Sequence, residues 1–207
     1  MIRTITCRTC PATWQKDIPE NVTPTGECAA CKLARRMKFF NSQCPPLYQQ
    51  TDTAKLPKKQ LVEAMKWKFG QRGLMLSGPS GRFKTRIVWT LLKRVLTVDM
   101  PPVDFMWFDC MSFEKDIMRH YQAEDEHLWF DKVCAVPLLF FDDFGKIKLT
   151  ERAEAELFGI VERRTANLLP IILTTNDDDA TLAARMSDNR GAPLVRRLRE
   201  FCEQIKF

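Results

Sequence analysis

The sequence predicts an α/β fold, a parallel sheet of five strands with flanking helices, preceded by a small zinc-ribbon-like module. Three observations carry this expectation. From Pro57 onward, short apolar runs alternate with helical patterns. Two of those runs, residues 138–141 and 170–173, are apolar throughout rather than alternating, as strands covered on both faces must be. Between the first strand pattern and the helix after it lies a glycine-containing turn, residues 78–85. A composition of 45% hydrophobic and 28% charged residues is that of a globular chain and argues against disorder.

Taken in chain order, residues 1–40 form the first unit. Cys7 and Cys10 are followed, after 17 residues, by Cys28 and Cys31. A two-residue gap lets two thiolates reach one ion, and the intervening stretch folds back to join the pairs. The result is a closed tetrahedral four-cysteine site for structural Zn2+. Two redox pairs or unrelated buried thiols are the alternative. Cys44 is the substitute ligand, and Cys110, Cys134 and Cys202 read as core. Residues 1–72 hold 13 Lys/Arg against 5 Asp/Glu, within a chain of net charge +6. Such a basic front suggests an anionic partner, most often nucleic acid, or else a Lys-rich solvated surface. Eight Cys, no apolar stretch near the roughly 20 residues of a bilayer span, and no apolar leader lead to the expectation of an intracellular, cytoplasmic protein with no membrane partner. Only two His make a His-centred hydrolase a poor fit.

Residues 41–56 read as a linker, extended around Cys44-Pro45-Pro46. A helix is expected from Pro57, with Leu61, Met65 and Phe69 on one face and Gly70 past its end. Residues 57–207 then form the core, with strands over 74–77, 105–108, 137–142, 171–174 and 203–207. Helices are expected over 85–96, 112–121, 151–167 and 193–201. The turn Gly78-Pro79-Ser80-Gly81-Arg82-Phe83-Lys84-Thr85 has the strand–loop–helix context of a Walker A phosphate loop. Its backbone N–H groups would cradle phosphates, Lys84 would reach the β- and γ-phosphates, and Thr85 would ligate Mg2+. Phe83 departs from the pattern, which has Gly there, and is expected in an ordinary right-handed conformation.

The strand at 138–141 ends in Asp142 and Asp143, at the tip where open α/β sheets bind ligands. Asp142 would hold Mg2+ and Asp143 would orient and polarise the attacking water. The structural alternative is a pair of helix-capping acids.

Together these motifs resemble the AAA+ ATPases of the DnaC/IstB type, bacterial and phage helicase loaders and transposition helpers. The resemblance spans about residues 45–207 and includes Pro170-Ile171-Ile172-Leu173-Thr174-Thr175-Asn176. It implies ATP as ligand and Asn176 as the sensor near the γ-phosphate, against a plain cap or Asx turn. It also implies an arginine finger supplied to a neighbouring subunit. Arg197 is the first choice and Arg196 the second, against a solvated or DNA-facing basic helix. Asp143 stands where many such proteins have Glu, and the helical lid is expected to be missing. The expected function is an ATP-hydrolysing helicase loader, phage or prophage encoded, that assembles with ATP on a replicative helicase and single-stranded DNA. Slow turnover is expected from Phe83. The alternatives are a transposition helper and a non-catalytic nucleotide-binding adaptor.

Overall fold

A computed structural model describes residues 1–19, 26–70, 72–98, 104–187 and 189–207. At the front, β1 (Ile2–Thr6) and β2 (Thr13–Asp17) pair antiparallel, from Ile2 opposite Asp17 to Thr6 opposite Thr13. The hairpin turn carries Cys7 and Cys10. The stretch expected to fold back between the cysteine pairs includes residues 20–25, which lie outside the described residues.

Helix α1 (Ala29–Gln43) starts at the second cysteine pair and runs across residue 40, where the sequence placed the end of the first unit. The extended connector expected over 41–56 is instead the end of α1, the short helix α2 (Pro46–Gln49) and a single 3-10 turn at Thr53–Lys55. The reason is tertiary: Phe40, Cys44 and Leu56 are buried in the core beside α4 (Lys84–Thr97). Pro46 sits in the first turn of α2, where its missing N–H is no loss. The helix expected from Pro57 is α3 (Lys58–Ala64), with Pro57 as its N-cap residue. It stops before Phe69, because Trp67 turns inward and donates from Nε1 to the Arg72 carbonyl at 3.2 Å.

Five parallel strands form the main sheet: β3 (Gly73–Ser77), β4 (Phe105–Asp109), β5 (Leu138–Asp142), β6 (Ile171–Thr175) and β7 (Cys202–Lys206). Their spatial order is β4-β5-β6-β3-β7, so β3, first in sequence, lies between β6 and β7. Every residue of β5 and β6 is buried, as their unbroken apolar patterns require. On one face pack α1, α3 and α4, centred on Trp89. Its ring lies 6.0 Å from Phe40, 5.4 Å from Trp107 and 5.5 Å from Phe140. The other face is covered by α5 (Cys110–Gln122), α6 (Glu126–Ala135), α7 (Glu151–Ala166) and α9 (Gly191–Phe201). The short α8 (Asp179–Ala184) follows β6 and packs on α9. The sequence reading did not include α6 or α8.

One buried cation fastens two of these elements. Arg164 of α7 is fully buried and donates to the carbonyls of Val133 (2.8 Å), Val136 (2.8 Å) and Pro170 (2.9 Å). It thereby satisfies carbonyls at the end of α6, which a helix terminus leaves without intrahelical donors, and ties them to the entry of β6. Burial pushes its guanidinium down to about 10.

Candidate nucleotide-binding site

The C-terminal tips of β3, β5 and β6 lie side by side, and the sequence-predicted groups gather there. Residue 78 leaves β3 with φ 141°, and a Cβ there would come within 2.8 Å of Phe207. Only Gly fits this exit from the sheet. The loop then curls to deliver Lys84 and Thr85 at the start of α4.

Lys84 is buried, and its ammonium donates to the carbonyls of Gly78 (2.8 Å) and Pro79 (2.9 Å) and to Asn176 Oδ1 (2.7 Å). Burial lowers its pKa, opposed by the nearby charges of Asp143 and Asp142. Asn176 caps no helix: the cap of α8 is Asp178, which accepts from Thr181 N at 2.8 Å. The Asn176 side chain meets Lys84 instead.

Thr85 Oγ1 donates to Asp142 Oδ1 at 2.8 Å, and Thr174 Oγ1 donates to the same oxygen at 2.5 Å. Burial raises the Asp142 pKa, and the two hydroxyl bonds pull against that rise. Neither acid caps a helix, since α7 is capped by Thr150. Asp143 takes a left-handed conformation, φ 51°, and its N–H donates to Thr174 Oγ1 at 2.9 Å. Thr174 thus ties both acids to β6. The Asp143 carboxylate pairs with Lys146 at 2.7 Å. A hydroxyl beside a carboxylate, both oxygen donors, fits a Mg2+ ion, which Thr85 and Asp142 could hold.

Lys84, Thr85, Asp143 and Asn176 line a cavity of about 370 Å3 together with Ser80, Gly81, Arg82 and Phe83, and Asp142 is hydrogen-bonded to Thr85. Phe83 corrects the sequence reading: it has φ 64° and ψ 17°, left-handed rather than right-handed. The loop geometry demands the conformation that Gly supplies, and Phe adopts it under strain. Sequence reasoning missed four further lining residues, Leu47, Tyr48, Arg86 and Lys146. Arg86 Nη1 donates to the Leu47 carbonyl at 3.0 Å, and its guanidinium lies 5.7 Å from the Tyr48 ring centre. Arg86, directly after Lys84-Thr85, was the available signal; Tyr48 had none in a stretch read as linker. Arg197 and Arg196 are not brought to this cavity. Arg197 pairs with Glu162 of α7 and Arg196 is exposed on α9.

The second constellation is the cysteine cluster. The sulfurs of Cys7, Cys10, Cys28 and Cys31 all lie within 4.8 Å of one another, and Cys10 and Cys28 are 3.6 Å apart. A tetrahedron with metal–sulfur bonds of about 2.3 Å has edges of about 3.8 Å, so the four fit a Zn2+ ion. Backbone N–H groups of Cys28 (3.3 Å) and Thr9 (3.4 Å) point at Cys7 Sγ and lower its pKa to about 6. Cys44 is buried apart from the cluster, and Cys110, Cys134 and Cys202 are in the core.

No family model matches the sequence, and no curated protein matches it. Solved structures do match in fold. The DnaC helicase loader superposes with a TM-score of 0.61 at 20% identity, covering 82% of this chain and 99% of that one. DnaI gives 0.58 at 18%, covering 77% and 86%. The replication initiator DnaA bound to AMPPCP and single-stranded DNA gives 0.58 at 18%, covering 72% of this chain and 44% of that one. The chain thus spans less than half the length of that initiator. Its fold is the P-loop AAA+ fold of these structures, a five-stranded parallel sheet with flanking helices, here with a cysteine-cluster module in front.

Proposed function

We propose that the chain is an ATP-hydrolysing AAA+ protein of DNA replication. In this reading it is a phage- or prophage-encoded cytoplasmic helicase loader that assembles with ATP on a replicative helicase and single-stranded DNA. One observation carries the reading: Lys84, Thr85, Asp143 and Asn176 line one cavity at the tips of three parallel strands, with Asp142 hydrogen-bonded to Thr85. The structural neighbours, a helicase loader and an initiator bound to single-stranded DNA, suggest the partner classes. Among the described residues no helix is long and apolar enough to cross a membrane.

In this mechanism the loop N–H groups receive the phosphates and Lys84 exchanges its carbonyl partners for β- and γ-phosphate oxygens. Thr85 and Asp142 would hold Mg2+, which would supply neutralisation of phosphate charge. Asn176 and Asp143 place a water in line with the γ-phosphorus. Asp143 takes the water proton as the new P–O bond forms and the β–γ bridging bond breaks, releasing ADP and phosphate. To do so Asp143 must let go of Lys146. Arg197 or Arg196 serves a neighbour's nucleotide, and the four-cysteine module holds Zn2+ and presents a basic surface to helicase or DNA.

The Asp143–Lys146 ion pair favours a second reading, an adaptor that binds ATP without turning it over. Phosphate release with and without single-stranded DNA separates the two. The ATPase reading requires release well above that of Lys84→Ala, together with a loss of about 100-fold or more in Asp143→Asn. Release at the Lys84→Ala level in the parent, despite bound ATP, supports the adaptor.

A further inference from the structure

Three acids in a row, Asp177, Asp178 and Asp179, follow Asn176, and the fold gives each a different task. Asp178 caps α8, accepting from Thr181 N at 2.8 Å. Asp179 pairs with Arg199 of α9. Asp177 does neither. Its two carboxylate oxygens accept from Arg185 Nε at 2.5 Å and Nη2 at 3.1 Å, a bidentate pair between the tip of β6 and the end of α8. The Asp177 side chain is only 12% exposed, so the acid end of the pair is withdrawn from water.

Where that carboxylate lies distinguishes it from the other two. A Cβ on Gly145 would come within 3.1 Å of Asp177 Oδ2 and 2.4 Å of Leu182 Cδ1, and residue 145 has φ 84°. Only Gly can pass so close to the clamp. Gly145 belongs to the turn that starts at Asp143, whose carbonyl accepts from Lys146 N at 3.0 Å. That turn is in turn bonded to β6, since Phe144 N–H donates to the Thr174 carbonyl at 2.7 Å. On its other side Asp177 directly follows Asn176, whose Oδ1 accepts from Lys84 at 2.7 Å, and its own N–H donates to Thr175 Oγ1 at 3.1 Å. One ion pair therefore touches both segments that carry the expected water-orienting groups.

We propose that Asp177 and Arg185 form a positioning pair that fixes Asn176 and the Asp143 turn relative to Lys84 and ties their placement to α8. The inference rests on the hydrolysis reading above and deepens it. Neither side chain lines the cavity, so the pair acts through its neighbours. It serves turnover and not affinity. The phosphates are received by the loop N–H groups and Lys84, whereas the line of attack of a water depends on where Asn176 and Asp143 sit.

The test uses Asp177→Asn, Arg185→Met, Arg185→Lys and the double variant Asp177→Asn with Arg185→Met. Amide hydrogen exchange is read without nucleotide at Asp143, Phe144 and Asp177, alongside kcat, ATP affinity and melting temperature. Exchange at these amides should quicken in Asp177→Asn and in Arg185→Met, and should stay slow in Asp179→Asn, which breaks the neighbouring pair with Arg199. The same two variants should lose about 10- to 100-fold in kcat with ATP affinity unchanged. The double variant should lose no more than the worse single one, because both remove one interaction. Arg185→Lys, which keeps the charge, should recover part of the rate. If the variants merely melt earlier, with parent exchange at the three amides or parent kcat in the folded fraction, the pair is only structural and the proposal falls. A parent that binds ATP without turnover would remove the hydrolysis reading. The exchange data then decide alone: quickened exchange upholds the positioning and unchanged exchange overturns it.

Discussion

Lys84 and Asp142 show how much of the site two side chains carry. Lys84 satisfies three oxygens, two of them loop carbonyls, so phosphate must compete for its N–H groups. Charge-assisted hydrogen bonds contribute about 1.5–3 kcal/mol each. Lys84→Ala should therefore weaken Mg-ATP binding by at least about 10- to 100-fold, read by calorimetry, with the fold intact. Asp142 behaves differently, because burial holds its carboxyl above the ordinary acid range. The ionised form is thus the less stable one in the folded protein. That liability is small in acid, where the carboxyl is protonated, and grows as pH rises from the unfolded value of 3.8 through the raised folded value. Asp142→Asn keeps an oxygen for Thr85 and Thr174 and cannot ionise. It should melt at or above the parent temperature, by a margin that widens toward neutral pH, while losing Mg-dependent ATP binding. A melting temperature that falls at neutral pH would contradict this account of Asp142. Both residues were legible in the sequence because phosphate loops and strand-end acids have fixed spacings. The backbone of Phe83 was not, since a residue's own preference says right-handed and only the loop around it enforces φ 64°.

Among the elements, the five strands of the main sheet were legible to within about a residue, helped by β5 and β6 being buried on both faces and reading as unbroken apolar runs, while β1 and β2 were not read as strands. Residues 41–56 were misread because their proline and polar content signals a linker, while Phe40, Cys44 and Leu56 find partners only in the folded core. The consequence is that α1 ties the cysteine cluster to the core: its first turn holds Cys31, Cys28 caps it, and Arg36 near its middle donates to the Leu96 carbonyl at the end of α4. Cys28→Ser with Cys31→Ser should abolish the roughly one Zn2+ per chain expected from a site of four thiolates, measured by metal analysis, and should open the hairpin to proteolysis. Full zinc content in that variant would refute the four-cysteine assignment. Arg164 offers a test of the far face. Arg164→Met leaves the Val133 and Val136 carbonyls without this donor, at about 1–3 kcal/mol each. Thermal melting should fall by roughly 10 °C, with ATP affinity of the folded fraction unchanged, because the site lies at the strand tips and Arg164 does not.

At the scale of the whole molecule, the expected arginine finger and the nucleotide cavity lie apart. Arg197 sits on α9, paired with Glu162 of α7, and lines no part of the cavity. The sequence could supply candidates for the finger from position alone, but it could not say which surface faces a neighbouring copy. A finger that serves the next subunit can contribute about 10³-fold or more in kcat. Turnover is then a property of the assembly and not of the chain. The most direct measurement is ATP hydrolysis by a mixture of Arg197→Ala and Lys84→Ala proteins, each inactive alone and shown to co-assemble. Recovery of activity is expected, because the first protein supplies an intact nucleotide site and the second an intact finger. A rate per chain that rises with protein concentration or with added single-stranded DNA should accompany it. Co-assembled mixtures that stay inactive, with a parent rate independent of concentration and of DNA, would contradict an ATPase completed by its neighbour.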